Sequence, residues 1–216
     1  MVQVIKNKNI ILKNNMILDG PKFKMFTFLG APVRLSILFL LLLPMVGFDI
    51  TLFVSIFIAV LVHEMAHAFV ANKKGYRVYG IDIDLFAGAA SIDANMHQRD
   101  SLWVSLAGPI SNILLVLIAL PLAIQFPFMS TFIAVNIFLF IFNMLPIYPM
   151  DGGMAFRDIL MLNMRDRRKA AYIANMTSLS FCVLGFVLVL LLQKYILAIF
   201  FAIFFYQTCK NAGYVR

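Results

Sequence analysis

The chain has 216 residues, 62% of them hydrophobic and only 13% charged, with a mean hydropathy of +0.92. Soluble domains carry about twice that share of charge, so an ordinary water-soluble globule, a disordered tail and a fibrous protein are excluded. The net charge of +8 reads as membrane topology and not as a nucleic-acid footprint, because Lys and Arg mark cytoplasmic loops.

Residues 1–32 mix basic and apolar side chains, with no apolar run followed by a small-residue cleavage site. They are expected to form a basic cytoplasmic juxtamembrane segment against anionic lipid, not a signal peptide. Six apolar runs then approach the length needed to cross about 30 Å of hydrocarbon: 33–48, 50–71, 102–124, 130–145, 172–192 and 195–208. The first is short and carries Pro44. With a cytoplasmic N-terminus, every one of the 18 basic residues except Lys194 falls inside, which predicts both termini in the cytoplasm. The expected fold is an all-α polytopic membrane protein of about six transmembrane helices, with a core over 33–209 and a cytoplasmic tail over 210–216. Between the second and third runs, Ile81, Ile83 and Leu85 alternate with Asp82 and Asp84. That period fits a β-hairpin or re-entrant segment, with a plain cytoplasmic loop as the alternative. Cys182 and Cys209 have no CxxC spacing and read as packed apolar thiols.

The second run contains Leu-Val-His-Glu-Met-Ala-His-Ala-Phe. His63 and His67 stand at i and i+4, one helical turn apart on one face, where two imidazoles can bind one metal ion. Glu64 is the only glutamate in the chain. It sits in one of the most apolar stretches, where an ionisable group costs at least a few kcal/mol and marks a functional site. Beside the first histidine, its carboxylate can reach a water at the metal. Zinc suits two histidine nitrogens and an oxygen ligand, with a fourth position open. The leading candidate for the oxygen is Asp151, in Asn-Met-Leu-Pro-Ile-Tyr-Pro-Met-Asp-Gly-Gly. Pro146 and Pro149 break the helix there, Gly152 and Gly153 permit a sharp turn, and a solvated turn aspartate is the alternative. His97 reads as a solvated loop histidine, and Asn112 and Asn136 as helix-packing polar groups.

These residues resemble the site-2 protease family of intramembrane zinc metalloproteases. His63-Glu64-Met65-Ala66-His67 matches its HExxH helix, and Asn143 through Gly152 its N-x-x-P-x-x-P-x-D-G stretch. Ala107-Gly108-Pro109-Ile110-Ser111-Asn112 is similar to its third-span motif. Phe86 to Ala90 is similar to its Gly-rich loop, with Ala87 where a second glycine is common. The resemblance covers about residues 33–157 and is that of a minimal core without a PDZ or other soluble domain. It implies one zinc per chain held by His63, His67 and Asp151, with Glu64 as general base. It implies that Asn143 orients substrate or polarises the scissile carbonyl; a helix-to-helix hydrogen bond is the alternative for that residue. The implied partners are the lipid bilayer and single-span membrane protein substrates, with no nucleic acid. The expected location is a prokaryotic plasma membrane, with the active site toward its cytoplasmic half. A competing reading is a non-proteolytic membrane zinc-binding protein, or an inactive relative acting as a chaperone.

Overall fold

The computed structural model of the chain describes residues 2–5, 21–84, 88–93, 95–193 and 195–213. The helices follow the apolar runs closely from the second onward. Helix α2 spans Ile50–Lys73, α3 Gln98–Leu122, α4 Phe128–Asn143, α6 Arg167–Leu191 and α7 Tyr195–Asn211. Three of them, α2, α3 and α6, are long and apolar enough to cross a membrane. Their ends carry local signals. The Asp49 carboxylate accepts from Leu52 N at 2.9 Å to start α2, and Asp166 accepts from Arg168 N and Lys169 N to start α6. Gly75, at φ +83°, stops α2 in the left-handed conformation that glycine adopts freely.

The expected helix over 33–48 is absent. Strand β1 (Val2–Ile5) is followed by β2 (Lys22–Phe28) and β3 (Ala31–Ser36), then by a 3₁₀ turn over Ile37–Leu41 and a single helical turn, α1 (Leu42–Met45). Leu29 and Gly30, both at positive φ, fold β2 back on β3 as an antiparallel pair. β3 then pairs in parallel with β4 (Val78–Ile83), matching Val33 to Ile81. A short apolar run has no period that separates a buried strand from a helix, and the partner that makes this one a strand lies more than 40 residues away. The boundary drawn at residue 33 therefore runs through the β2–β3 hairpin, and the fold is helical with a sheet rather than all-α. Over residues 77–93 the hairpin reading is the one observed. β4 pairs antiparallel with β5 (Gly88–Asp93), while the tip with Phe86 and Ala87 lies outside the described residues.

The five strands form one sheet in the order β1-β5-β4-β3-β2. Ile81, Ile83, Ala90 and Ile92 share an apolar cluster with Ala68 and Ala71 of α2, so the sheet is fixed to the helix that carries both histidines. Buried Asp82 of β4 draws in Arg34 of β3, with Nε at 2.6 Å, and Lys22 of β2, with Nζ at 3.2 Å. Those ion pairs join three strands.

Helix α3 lies at the centre of the bundle. Half of its most apolar window is buried, against a third for α2 and less for α6. α4 has 16 residues, about 24 Å of helix. It ends at the proline-rich stretch, after which a helix not expected from the sequence begins: α5, Asp151–Asn163. Leu117 and Ile118 on α3 and Leu184 and Leu191 on α6 are more than half exposed, as lipid-facing side chains are.

Candidate metal centre

Three helices supply the site. α2 places His63 and His67 on its buried face, 3% and 0% exposed, with ring centroids 4.8 Å apart. The i, i+4 spacing does this locally. α3 passes beside them at Gly108. α5 supplies Asp151 from its first turn, where the helix dipole favours a carboxylate.

The stretch from Met144 to Met150 brings Asp151 across. Pro146 and Pro149 interrupt the helix, and the Tyr148–Pro149 peptide is cis. Backbone groups released at membrane depth need partners inside the protein. Tyr148 N donates to the Ser178 hydroxyl of α6 at 2.7 Å, and Thr208 of α7 donates to Tyr148 O at 3.0 Å. The last two helices thus hold the segment that delivers the carboxylate. Gly152 and Gly153 serve close approach rather than a turn. They lie within α5, and a Cβ on Gly153 would stand 2.5 Å from the Ile147 carbonyl carbon. Gly153→Ala is expected to lower stability by about 1–3 kcal/mol through overpacking and to weaken zinc binding. A melting curve and metal content of the purified variant check both.

The donor atoms converge. His63 Nε2 lies 2.9 Å and His67 Nε2 3.3 Å from Asp151 Oδ2, and one donor atom from each residue falls within 4.8 Å of the others. Ligands on a tetrahedral zinc with bonds near 2.0–2.1 Å are spaced by about 3.3 Å. His63 Nδ1 is 2.6 Å from Asn112 Oδ1, and His67 Nδ1 is 2.6 Å from Val104 O. In neutral imidazoles whose Nδ1 atoms donate, both Nε2 atoms carry lone pairs aimed at a carboxylate oxygen. Acceptors this close, fully buried, repel unless a cation sits among them. Asp151 Oδ1 has no hydrogen bond although the residue is 0% exposed. Gly108 leaves the space: a Cβ there would overlap Nε2 of both histidines. Two imidazole nitrogens and a carboxylate oxygen are a donor set that fits one zinc ion, which takes four ligands.

Glu64 is buried next to His63, at 2% exposure. Asn143 ends α4, and the hydrogen bond it makes among the described residues is from Nδ2 to Leu139 O of its own helix, at 3.0 Å. His97 is exposed at the start of α3 and stands apart from the metal cluster. Both cysteines are free. Asn112 and Asn136, read from the sequence as helix-packing polar groups, do bond across helices, and together they form a hydrogen-bonded line behind His63. Asn112 Nδ2 donates to Asn136 Oδ1 at 2.9 Å, and Asn136 Nδ2 to Phe132 O at 2.9 Å. Their signal in the sequence was two amides inside apolar helices, which by itself does not name a partner.

Residues 122–185, which include Asp151, match peptidase family M50. A zinc metalloprotease of Methanocaldococcus jannaschii is 30% identical over 63% of this chain and 45% of its own length. Stage IV sporulation protein FB of Bacillus subtilis is 28% identical over 73% of this chain and 58% of its own. The chain thus spans about half the length of these curated relatives. The solved site-2 protease from Methanocaldococcus jannaschii superposes with a TM-score of 0.68 at 26% identity, over 89% of this chain and 95% of that one. With long apolar helices around a buried donor set, this is an integral membrane protein with the fold of a site-2 protease, and its residues 122–185 are similar to peptidase family M50.

Proposed function

We propose that the chain is an intramembrane zinc metalloprotease that hydrolyses peptide bonds of single-span membrane proteins. The observation that carries this reading is the convergence of His63 Nε2, His67 Nε2 and Asp151 Oδ2 on one point inside the bundle. The zinc metalloprotease relatives support it.

His63, His67 and Asp151 hold the ion. Zinc, when bound, supplies a Lewis acid for the scissile carbonyl and lowers the pKa of water toward 7. Glu64 takes the proton from the attacking water and passes it to the amine that leaves, so the carboxylate is restored each turnover. Asn143 uses one amide hydrogen on Leu139 O; the rest of its amide is offered to the substrate main chain. A helical substrate shields its own peptide bonds by hydrogen bonding and must unwind to be cut.

The distribution of basic residues supports a site toward the cytoplasmic half of the membrane. His63 lies ten residues before Lys73 at the end of α2, about 15 Å along the helix, and Lys74 and Arg77 follow. The archaeal and bacterial relatives support a prokaryotic plasma membrane as the location.

Glu64→Gln tests the mechanism. In proteoliposomes holding a panel of single-span segments, the variant is expected to lose about 10²–10⁴-fold in cleavage rate and to keep its zinc. Unaltered cleavage by Glu64→Gln would overturn the role of Glu64. A zinc-loaded parent chain that cuts nothing in the panel would favour a non-proteolytic metal-binding role.

A further inference from the structure

Both histidines must present Nε2 as a lone pair, and a neutral imidazole does so only with its proton on Nδ1. For His67 this is secured directly, since Nδ1 faces Val104 O at 2.6 Å and a carbonyl can only accept. For His63 it is not. Nδ1 faces Asn112, and an amide can donate or accept simply by turning over. Asn136, behind it, has the same freedom.

The ambiguity ends at α4. Asn136 is 2.9 Å from Phe132 O, an atom that can only accept, so Asn136 donates there through Nδ2. Its Oδ1 then faces Asn112, which donates through its own Nδ2. Asn112 Oδ1 is left for His63, and Nδ1 of His63 donates to it. Both asparagines are 0% exposed, so no water competes for these groups. Reversing the line would set Asn136 Oδ1 against a carbonyl oxygen and put the proton of His63 on Nε2, the atom that must face the ion.

We propose that Asn112 and Asn136 are positioning residues: a one-way hydrogen-bond relay from the Phe132 carbonyl through both side chains sets the tautomer of His63 and thereby the zinc affinity. The inference rests on the cluster being a metal site. Among the described residues Asn136 hydrogen-bonds to Asn112 and Phe132 O and to neither histidine, so a hydrogen-bond effect of it on zinc travels through Asn112.

The test is zinc affinity, measured by chelator competition on the purified full chain at fixed pH. Asn112→Leu and Asn136→Leu, close in volume to the native residue, are expected to bind zinc about 10–100-fold more weakly, the usual loss when an outer-shell partner of a metal-bound histidine is removed. Asn136→Asp is expected to restore affinity. A carboxyl this buried takes up a proton, donates O–H to Phe132 O and accepts from Asn112, which keeps the relay's direction. Packing alone would predict the opposite order, with the apolar replacement tolerated and the acid not. Should Asn136→Leu fail to fold, Asn136→Ala against Asn136→Asp carries the same comparison. Wild-type affinity in both Leu variants, or equal loss in Asn136→Leu and Asn136→Asp, would overturn the relay and leave the metal site standing. Absence of zinc binding in the wild-type chain would overturn the metal reading itself.

Discussion

Gly108→Ala is expected to abolish zinc binding, and with it proteolysis, although glycine to alanine in a helix interior normally adds about 1 kcal/mol of stability. A Cβ at this position would lie under 3 Å from ring atoms of both His63 and His67. Neither ring can swing away cheaply, because each is held at Nδ1, one by Asn112 and the other by Val104 O. The remaining response is a shift of α3 away from α2, and ligand positions must hold to about 0.2 Å for tight metal binding. Metal content per purified chain reads this directly. Ser111→Ala, one turn along α3 and bonded among the described residues to Gly108 O, is the control and should keep its zinc. One equivalent of zinc at wild-type affinity in Gly108→Ala would show that the ion does not sit on this face of α3.

Asp151→Ala carries the second large effect. Among the described residues it removes the one anionic donor of the cluster and its only member from outside α2, so zinc affinity should fall by more than the roughly 10–100-fold that outer-shell changes cost, and cleavage should be lost. Asp151→Asn separates charge from shape. It keeps the volume at a position with 0% exposure and leaves an oxygen, but takes away the charge that offsets a dication at membrane depth. The amide variant should therefore bind better than the alanine variant and much more weakly than wild type. Metal content and melting temperature, with and without added zinc, check both. In the wild type, zinc should raise the melting temperature by linkage; in Asp151→Ala that rise should vanish. A zinc-dependent rise that survives in Asp151→Ala would remove Asp151 from the ligand set.

The features legible in the sequence are those that depend on neighbours along the chain. The i, i+4 spacing of His63 and His67 is a property of any helix, so the pair was readable as soon as the apolar run around it implied one. The start of α2 at Ile50 and of α7 at Tyr195 agreed with the apolar runs, because the length of an apolar run is a local quantity. Residues 33–48 were misread for the converse reason. Their apolar character is equally local, yet what makes Ala31–Ser36 a strand is pairing with Val78–Ile83, a partner no local pattern contains. Helix α5 went unseen because two prolines and two glycines precede or open it, and those residues read as a turn. In fact the glycines let the backbone of Met144 and Ile147 come against α5.

The metal centre divides along the same line. The histidines and Glu64 come from one helical turn, but their meeting with Asp151, 88 residues away from His63, depends on how α5 packs. Gly108 is an ordinary helix glycine until α2 lies against it. Asn112 and Asn136 are two amides in apolar runs until α2, α3 and α4 align them into a line whose direction is set by one carbonyl oxygen. A single turn of helix dictates which residues share a face. Which atom faces which across three helices is decided only when the bundle closes and each buried donor and acceptor must find its partner.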